Sequence, residues 1–161
     1  MIPLDRLRRF ELVSALPEAS VRAIASISTP RQHQPGDWIL KEGFPARSVM
    51  LLESGQVPLT CRLADGSDIN VGQASAGDLL GWSALLPPYR LTASARAETG
   101  VTLIEIDAVE LRRICERDPA VGYPVLAHVA STLSRRLQAA RVQIAVLSGM
   151  TARGRLERAA G

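Results

Sequence analysis

The feature that most constrains the fold is a series of short apolar or alternating runs between Ser28 and Ile106, separated by turn signals. The runs are "DWIL", "SVMLLE", "VPLTCRL", "DINVGQA", "LTASARA" and "VTLIEI". The segments between them are "QPGD", "KEGFPA", "ESGQ", "LADGSD" and "SAGD", and each contains a glycine. Glycine adopts the backbone conformations that tight turns need at little steric cost. Many short strands joined by glycine turns predict a β-sandwich or a β-roll.

Helical patterns flank this β region on both sides. Residues 4–27 have helical spacing interrupted at "ALPEAS", which predicts two short helices. Asp107 followed by Glu110 resembles a capping box, and Asp118 with Pro119 supplies an N-cap and a first-turn proline for a longer helix. We therefore predict an α+β chain, mainly β, with N-terminal helices and a long C-terminal helix.

The long helix carries an apolar heptad pattern. Apolar residues recur at alternating steps of four and three, at Leu126, Ala130, Leu133, Leu137, Ala140, Ile144 and Leu147. Such a stripe either packs on the β-roll of its own chain or pairs with a second helix in a two-stranded dimer. We favour a homodimer through Leu126, Leu133, Leu137, Ala140 and Ile144, with the helix ending near Gly149.

Composition excludes several classes of protein. The 161 residues fit one domain, and the formal net charge of +3 comes with a single lysine, Lys41, so it does not indicate a concentrated nucleic-acid patch. Cys61 and Cys115 lie far apart without a CxxC motif, which favours two packed thiols in a reducing compartment. No stretch is long and apolar enough for a membrane span. We therefore expect a cytoplasmic protein.

Catalytic and metal chemistry find little support. A metal-dependent enzyme on a β-roll needs a cluster of histidines and a glutamate, and His33 and His128 are the only histidines. No GxSxG, P-loop or GxGxxG motif is present. We expect no enzyme activity and no metal site.

The motifs occur in an order that resembles a known family. "GDWILKEG", "LLESGQV", "ADGSDI", "AGDLLGW", "YRLTASARA" and "SRRLQAAR" are similar to the cyclic nucleotide-binding domain of the Crp/Fnr regulator superfamily, from the N-terminal helices to about Ser148. The resemblance implies a jelly-roll β-roll with a phosphate-binding cassette, and a dimer helix over about residues 118–148. Residues 149–161 resemble the hinge to a helix-turn-helix domain, so we expect no direct DNA binding from this chain. It is either a stand-alone sensor or the sensor half of a regulator.

By this resemblance, residues 81–97 hold the cassette. The candidate ligand-binding residues are Gly81, Trp82, Ser83, Arg90, Leu91, Thr92 and Arg136. In the family a glutamate accepts from the ribose hydroxyl and an arginine pairs with the cyclic phosphate; here those positions hold Trp82 and Leu91, with Arg90 one residue early. Ser83 to Leu86 is expected to form the short helix. A cyclic nucleotide, cAMP or cGMP, is the ligand class that the resemblance implies, although these departures argue against the usual mode of cAMP binding.

Several residues keep two interpretations. Arg90 either reaches the ligand or is a solvated loop residue, and Trp82 either stacks a planar ligand or plugs an unused pocket. Tyr89 either caps the site or covers the roll, and Arg96 is expected to pair with a surface carboxylate. The chain is accordingly a sensor of a small anionic ligand, or a ligand-free interaction module.

Overall fold

The computed structural model describes the backbone of residues 2–159 and the side chains of residues 2–146. The chain divides into two units, residues 1–129 and residues 130–161. The helices are α1 (Leu4–Arg8), α2 (Glu11–Ser14), α3 (Glu18–Ser26), α4 (Ala108–Arg117) and α5 (Pro119–Ala159), with a 3-10 turn at Trp82–Leu85. The strands are β1 (Ser28–His33), β2 (Trp38–Leu40), β3 (Ser48–Ser54), β4 (Val57–Arg62), β5 (Asp68–Ala74), β6 (Leu79–Leu80), β7 (Ser94–Arg96) and β8 (Val101–Asp107).

The strands form two antiparallel four-stranded sheets, with orders β1-β8-β3-β6 and β2-β7-β4-β5. Each predicted run contains one strand, and the glycine turns lie between them as expected. Two strands were not predicted, β1 and the two-residue β6. The jelly-roll prediction is confirmed.

Side chains from both sheets form one apolar core. Strands of the first sheet contribute Met50, Leu52 and Leu103, and strands of the second contribute Leu59 and Ala95. Burying an aliphatic side chain of this size contributes about 1.5–3 kcal/mol. The core therefore fixes which face of each strand points inward, and with it the opposite, outer face.

The N-terminal region forms three short helices where the sequence predicted two, and an ion pair ties the first of them to the first sheet. Arg6 of α1 donates through Nε to the carboxylate of Glu53 on β3 at 3.0 Å. The pair is partly buried, and the pKa of Arg6 is raised mainly by the hydrogen bond to Glu53. Helix α3 buries Val21 and Ile24.

The two C-terminal helices begin where the sequence predicts. The carboxylate of Asp107 accepts from the backbone N–H of Glu110 at 2.9 Å, which caps α4. At the start of α5, the carboxylate of Asp118 accepts from the backbone N–H of Ala120 at 3.0 Å. A Cβ built on Gly122 would lie 2.6 Å from the carbonyl oxygen of Cys115, so α5 leaves α4 at a distance that only glycine permits.

Helix α5 carries two stripes of different exposure. Val121, Val125 and Val129 are buried. In the heptad stripe Leu133 is half-buried, and the other members with described side chains are exposed: Leu126, Ala130, Leu137, Ala140 and Ile144. The last member of the predicted stripe, Leu147, lies outside the described side chains.

The helix continues through Gly149 to Ala159 rather than ending near residue 149. A glycine inside a helix costs about 1 kcal/mol relative to alanine, which is too little to end a helix by itself. Among the described residues, no helix is both long enough and apolar enough to cross a membrane.

Candidate functional site

Gly81 sets the backbone path at the start of the candidate cassette. Its φ of 70° lies in the left-handed region, and it directly precedes the 3-10 turn Trp82–Leu85. A Cβ at this position would lie 2.6 Å from the carbonyl oxygen of Ser48 on β3. Two separate reasons therefore require glycine at position 81: its left-handed backbone conformation and its close approach to a neighbouring strand.

The short helix expected over Ser83 to Leu86 is a single 3-10 turn, and it begins one residue earlier, at Trp82. Trp82 is half-buried, and Ser83, Ala84 and Leu85 are buried. The N–H of Ala84 donates to the carbonyl of Gly81 at 2.9 Å, which closes the turn. The buried side of the turn packs into the roll, so this limb of the cassette is well anchored.

The second limb of the cassette pairs with the loop after β2. The N–H of Gly43 donates to the carbonyl of Leu91 at 2.8 Å, and the N–H of Leu91 donates to the carbonyl of Phe44 at 2.9 Å. The N–H of Ala46 donates to the carbonyl of Tyr89 at 2.8 Å. This short ladder fixes the backbone of residues 89–91 against residues 43–46.

Arg90 lies on this ladder with its side chain exposed. Its Nη1 donates to the carbonyl oxygen of Gly43. The guanidinium thus has a neutral hydrogen-bond acceptor as its partner.

Leu91 and Thr92 have contrasting environments. Leu91 is partly buried and packs against the apolar core, whereas Thr92 is exposed. The thiol of Cys61 on β4 donates to the carbonyl of Thr92 at 3.3 Å. Burial, followed by the negative charge of Glu42, raises the pKa of Cys61, so this thiol stays protonated at neutral pH and remains a donor.

A residue that the sequence interpretation missed joins both limbs to α4. Nη1 of Arg112 donates to the carbonyl of Ala84 in the turn, and its guanidinium lies over the ring of Tyr89. Tyr89 has a φ of 56°. Arg112 is more than 20 positions away in sequence, and no local pattern indicates this contact.

Six of the seven candidate residues thus lie on two segments, Gly81 to Ser83 at the turn and Arg90 to Thr92 at the ladder, and Arg112 contacts a residue next to each. Arg136 lies on α5 in the second unit. Arg96 differs from the expectation of a carboxylate partner, because its Nε donates to the carbonyl of Gly36 at 2.6 Å. Within the described residues, no three His, Cys, Asp or Glu side chains are placed to hold a metal ion.

Comparisons with known proteins identify similar domains. The family described as "Cyclic nucleotide-binding domain" matches residues 30–118. A solved structure from Geobacter metallireducens, titled as a cyclic nucleotide-binding protein, has 31% identity and a TM-score of 0.75, covering 85% of this chain and 99% of that one.

Two curated relatives are much longer than the matched region. Glutaminase 2 of Bradyrhizobium diazoefficiens is 28% identical over 85% of this chain and 21% of its own length. The cAMP-dependent protein kinase regulatory subunit of Colletotrichum orbiculare is 34% identical over 68% of this chain and 27% of its own length. The chain therefore spans about a quarter or less of these relatives.

Proposed function

Because this chain belongs to the cyclic nucleotide-binding domain family, we propose that it is a sensor domain that binds a small anionic ligand of the cyclic nucleotide class at residues 81–92. The observation that carries the proposal is the backbone of Gly81, left-handed and pressed against Ser48. The left-handed φ and the contact with Ser48 fix the backbone path of the cassette, although Trp82 and Leu91 depart from the residues expected at their positions. The free thiols of Cys61 and Cys115 fit a reducing, cytoplasmic location.

The ligand contacts that we propose differ from the family pattern at two positions. Trp82 replaces the acidic acceptor for the ribose, and Leu91, at the position of the arginine, packs against the core. Leu91 therefore offers nothing to a phosphate. Trp82 is half-buried and carries a flat apolar face, which suits stacking with a planar base.

We assign the ligand's negative charge to Arg90. Its present partner is the neutral carbonyl of Gly43 at an exposed position, so the guanidinium has no opposite charge there. A phosphate supplies that charge, and a hydrogen bond between ionised partners is among the stronger ones, at about 1.5–3 kcal/mol. We therefore expect Arg90 to exchange Gly43 for the ligand, and the exposed hydroxyl of Thr92 supplies a further donor beside it.

Affinity for cAMP or cGMP should be lower than in a domain with the full set of polar groups. Losing one charged contact of about 1.5–3 kcal/mol lowers affinity by about one to two decades. Calorimetric titration of the purified chain with cAMP and with cGMP tests the proposal. We expect saturable binding that Arg90→Ala weakens about tenfold or more.

The matched control is Arg22→Ala, which removes an exposed arginine on α3 and not on either segment of the cassette. This variant should bind as the wild type does. No heat and no thermal shift with either nucleotide would contradict the sensor proposal. Equal binding by Arg90→Ala and the wild type would remove Arg90 from the site.

A second candidate function, a protein-interaction module, rests on the exposed stripe of α5. Leu137 is 54% exposed and Ile144 is 63% exposed, although both fit an apolar heptad pattern. Apolar residues at heptad spacing on an exposed helical face suit pairing with a second copy of the chain. We therefore include a homodimer through α5 in the proposal. The dimer is compatible with ligand binding, and it would also give the chain a function as an interaction module if no ligand binds.

A further inference from the structure

The second sheet carries a cleft on its outer face, away from the core. Because side chains alternate along β7, Ala95 is buried in the core while its neighbours Ser94 and Arg96 lie on the opposite face. Trp38 pairs with Arg96, and the register shift between Trp38 and Leu40 leaves Trp38 exposed while Leu40 is buried. The cleft has a volume of about 540 Å³. We call it the outer cleft; it is lined by Trp38, Lys41, Glu42, Gly43, Arg62 and Ser94.

Two cations gather around an exposed indole in this cleft. Nζ of Lys41 lies 5.7 Å from the centroid of the Trp38 ring, and Cζ of Arg96 lies 5.4 Å from it. Trp38 is 46% exposed. Within the part of the chain that the structure describes, neither Lys41 nor Arg96 has a carboxylate partner.

The carboxylates close to the outer cleft already have partners. Asp68 accepts from Nε of Arg62 at 2.9 Å. Oε2 of Glu42 accepts from the backbone N–H of Arg62 at 2.8 Å, and the N–H of Glu42 donates to Oγ of Ser94 at 3.0 Å. The cleft therefore holds fixed carboxylates and two cations that can still accept an anionic partner.

We propose that the outer cleft docks an acidic peptide segment of a partner protein. Carboxylates of the segment pair with Lys41 and Arg96, and its apolar atoms cover the indole of Trp38. Tryptophan and arginine are the side chains most enriched among the residues that dominate binding energy at protein interfaces. The inference concerns the outer face and does not depend on nucleotide binding at the cassette.

Charge decides between a peptide and a nucleic acid. Lys41, Arg62 and Glu42 line the cleft, Arg96 lies over the Trp38 ring and Asp68 pairs with Arg62. Three cations against two carboxylates leave only a small local positive charge. Glu42 and Asp68 would repel closely spaced phosphates. Separated carboxylates on an extended peptide can reach Lys41 and Arg96 while avoiding both.

Fluorescence anisotropy tests the docking site with the full chain. The probes are a short fluorescein-labelled peptide of alternating glutamate and glycine, and the same peptide with glutamine in place of glutamate. We expect saturable binding of the glutamate peptide only, weakened by added salt. Lys41→Gln should weaken binding by up to about five-fold, the range of an exposed ion pair, and Trp38→Ala by about five-fold or more.

A control variant, Arg47→Gln, and the fluorescence of Trp38 show whether the peptide binds at the outer cleft. Arg47→Gln removes the same charge from an exposed position outside the cleft and should bind as the wild type does. In a Trp82→Phe background Trp38 is the only remaining tryptophan, so its emission should change on binding. The proposal is overturned by no binding, by equal losses in Lys41→Gln and Arg47→Gln, by an unchanged Trp38 signal, or by tighter binding of oligothymidine than of the acidic peptide.

Discussion

The guanidinium of Arg112 lies 4.3 Å from the centroid of the Tyr89 ring. The same side chain donates to the carbonyl of Ala84, so one residue of α4 contacts both limbs of the candidate cassette. A rearrangement of either limb on ligand binding would therefore alter a contact of α4.

Removing this contact should destabilise the fold. Arg112→Ala loses a partly buried charged hydrogen bond and a cation–π contact, and we expect the free energy of unfolding to fall by about 1–3 kcal/mol. Urea denaturation measures the change. Arg113→Ala, which removes only an exposed pair with Glu110, should change it by about 0.5 kcal/mol or less. Equal effects of the two substitutions would show that Arg112 does not anchor the cassette.

The close approach of α5 to α4 can be tested at Gly122. In Gly122→Ala the new Cβ would lie 2.6 Å from the carbonyl oxygen of Cys115. Overpacking against backbone costs about 1–3 kcal/mol, which outweighs the gain in helix propensity of about 1 kcal/mol. We expect a lower melting temperature. Gly100→Ala, whose Cβ would meet no atom within 4 Å, should melt close to the wild type; an unchanged melting temperature in Gly122→Ala would contradict the packing described here.

Glu105 should make the free energy of unfolding depend on pH in the acidic range. Burial raises the pKa of this carboxyl, but hydrogen bonds from Ser48 at 2.7 Å and Arg31 at 2.6 Å, with the charge of Arg31, outweigh burial and lower it overall. A lowered folded-state pKa stabilises the fold above the unfolded value of about 4.3, and this stabilisation is lost as the pH falls through the folded-state pKa.

Urea denaturation of the wild type and Glu105→Gln at several pH values measures this effect. The wild type should be the more stable at neutral pH, and the gap should narrow below about pH 4. Glu98→Gln removes an exposed carboxylate and controls for the loss of one negative charge. A gap between the wild type and Glu105→Gln that is constant with pH would exclude this role of Glu105.

The proposed dimer should be sensitive to one position on α5. Leu137→Glu places a charge in the middle of the exposed stripe, and we expect sedimentation equilibrium to give the mass of a monomer for this variant and of a dimer for the wild type. Gln138→Glu adds the same charge one residue away, on an exposed position outside the stripe, and should remain dimeric. A dimeric Leu137→Glu, or a monomeric wild type at micromolar concentration, would show that the stripe does not mediate self-association.

Local sequence patterns predicted most of the fold. Runs separated by a glycine turn predicted strands β4 and β5, and the capping residues Asp107 and Asp118 predicted the starts of α4 and α5. Strand β1 escaped prediction because "STPRQH" lies mostly exposed at the edge of its sheet and shows no apolar alternation. Strand β6 is too short, at two residues, to show any period.

The candidate site was predictable in position but not in its contacts. Gly81 was identified from motif order, because a glycine at that point is a local signal. The hydrogen bond from Arg90 to Gly43 and the contact of Arg112 with Ala84 join residues far apart in the chain. No periodicity encodes such pairs. The carbonyl partner of Arg96 also depends on how two strands meet and not on either strand alone.

The two stripes of α5 divide one helix into positions that stabilise the fold and positions open to a partner. Val121, Val125 and Val129 are buried in the first unit, so substitutions there change the stability of the fold. Leu137 and Ile144 are exposed, so in the proposed dimer substitutions there would change the association of the helix and leave the core unchanged. Duplicated copies of such a chain can therefore diverge in their choice of partner while keeping the same fold.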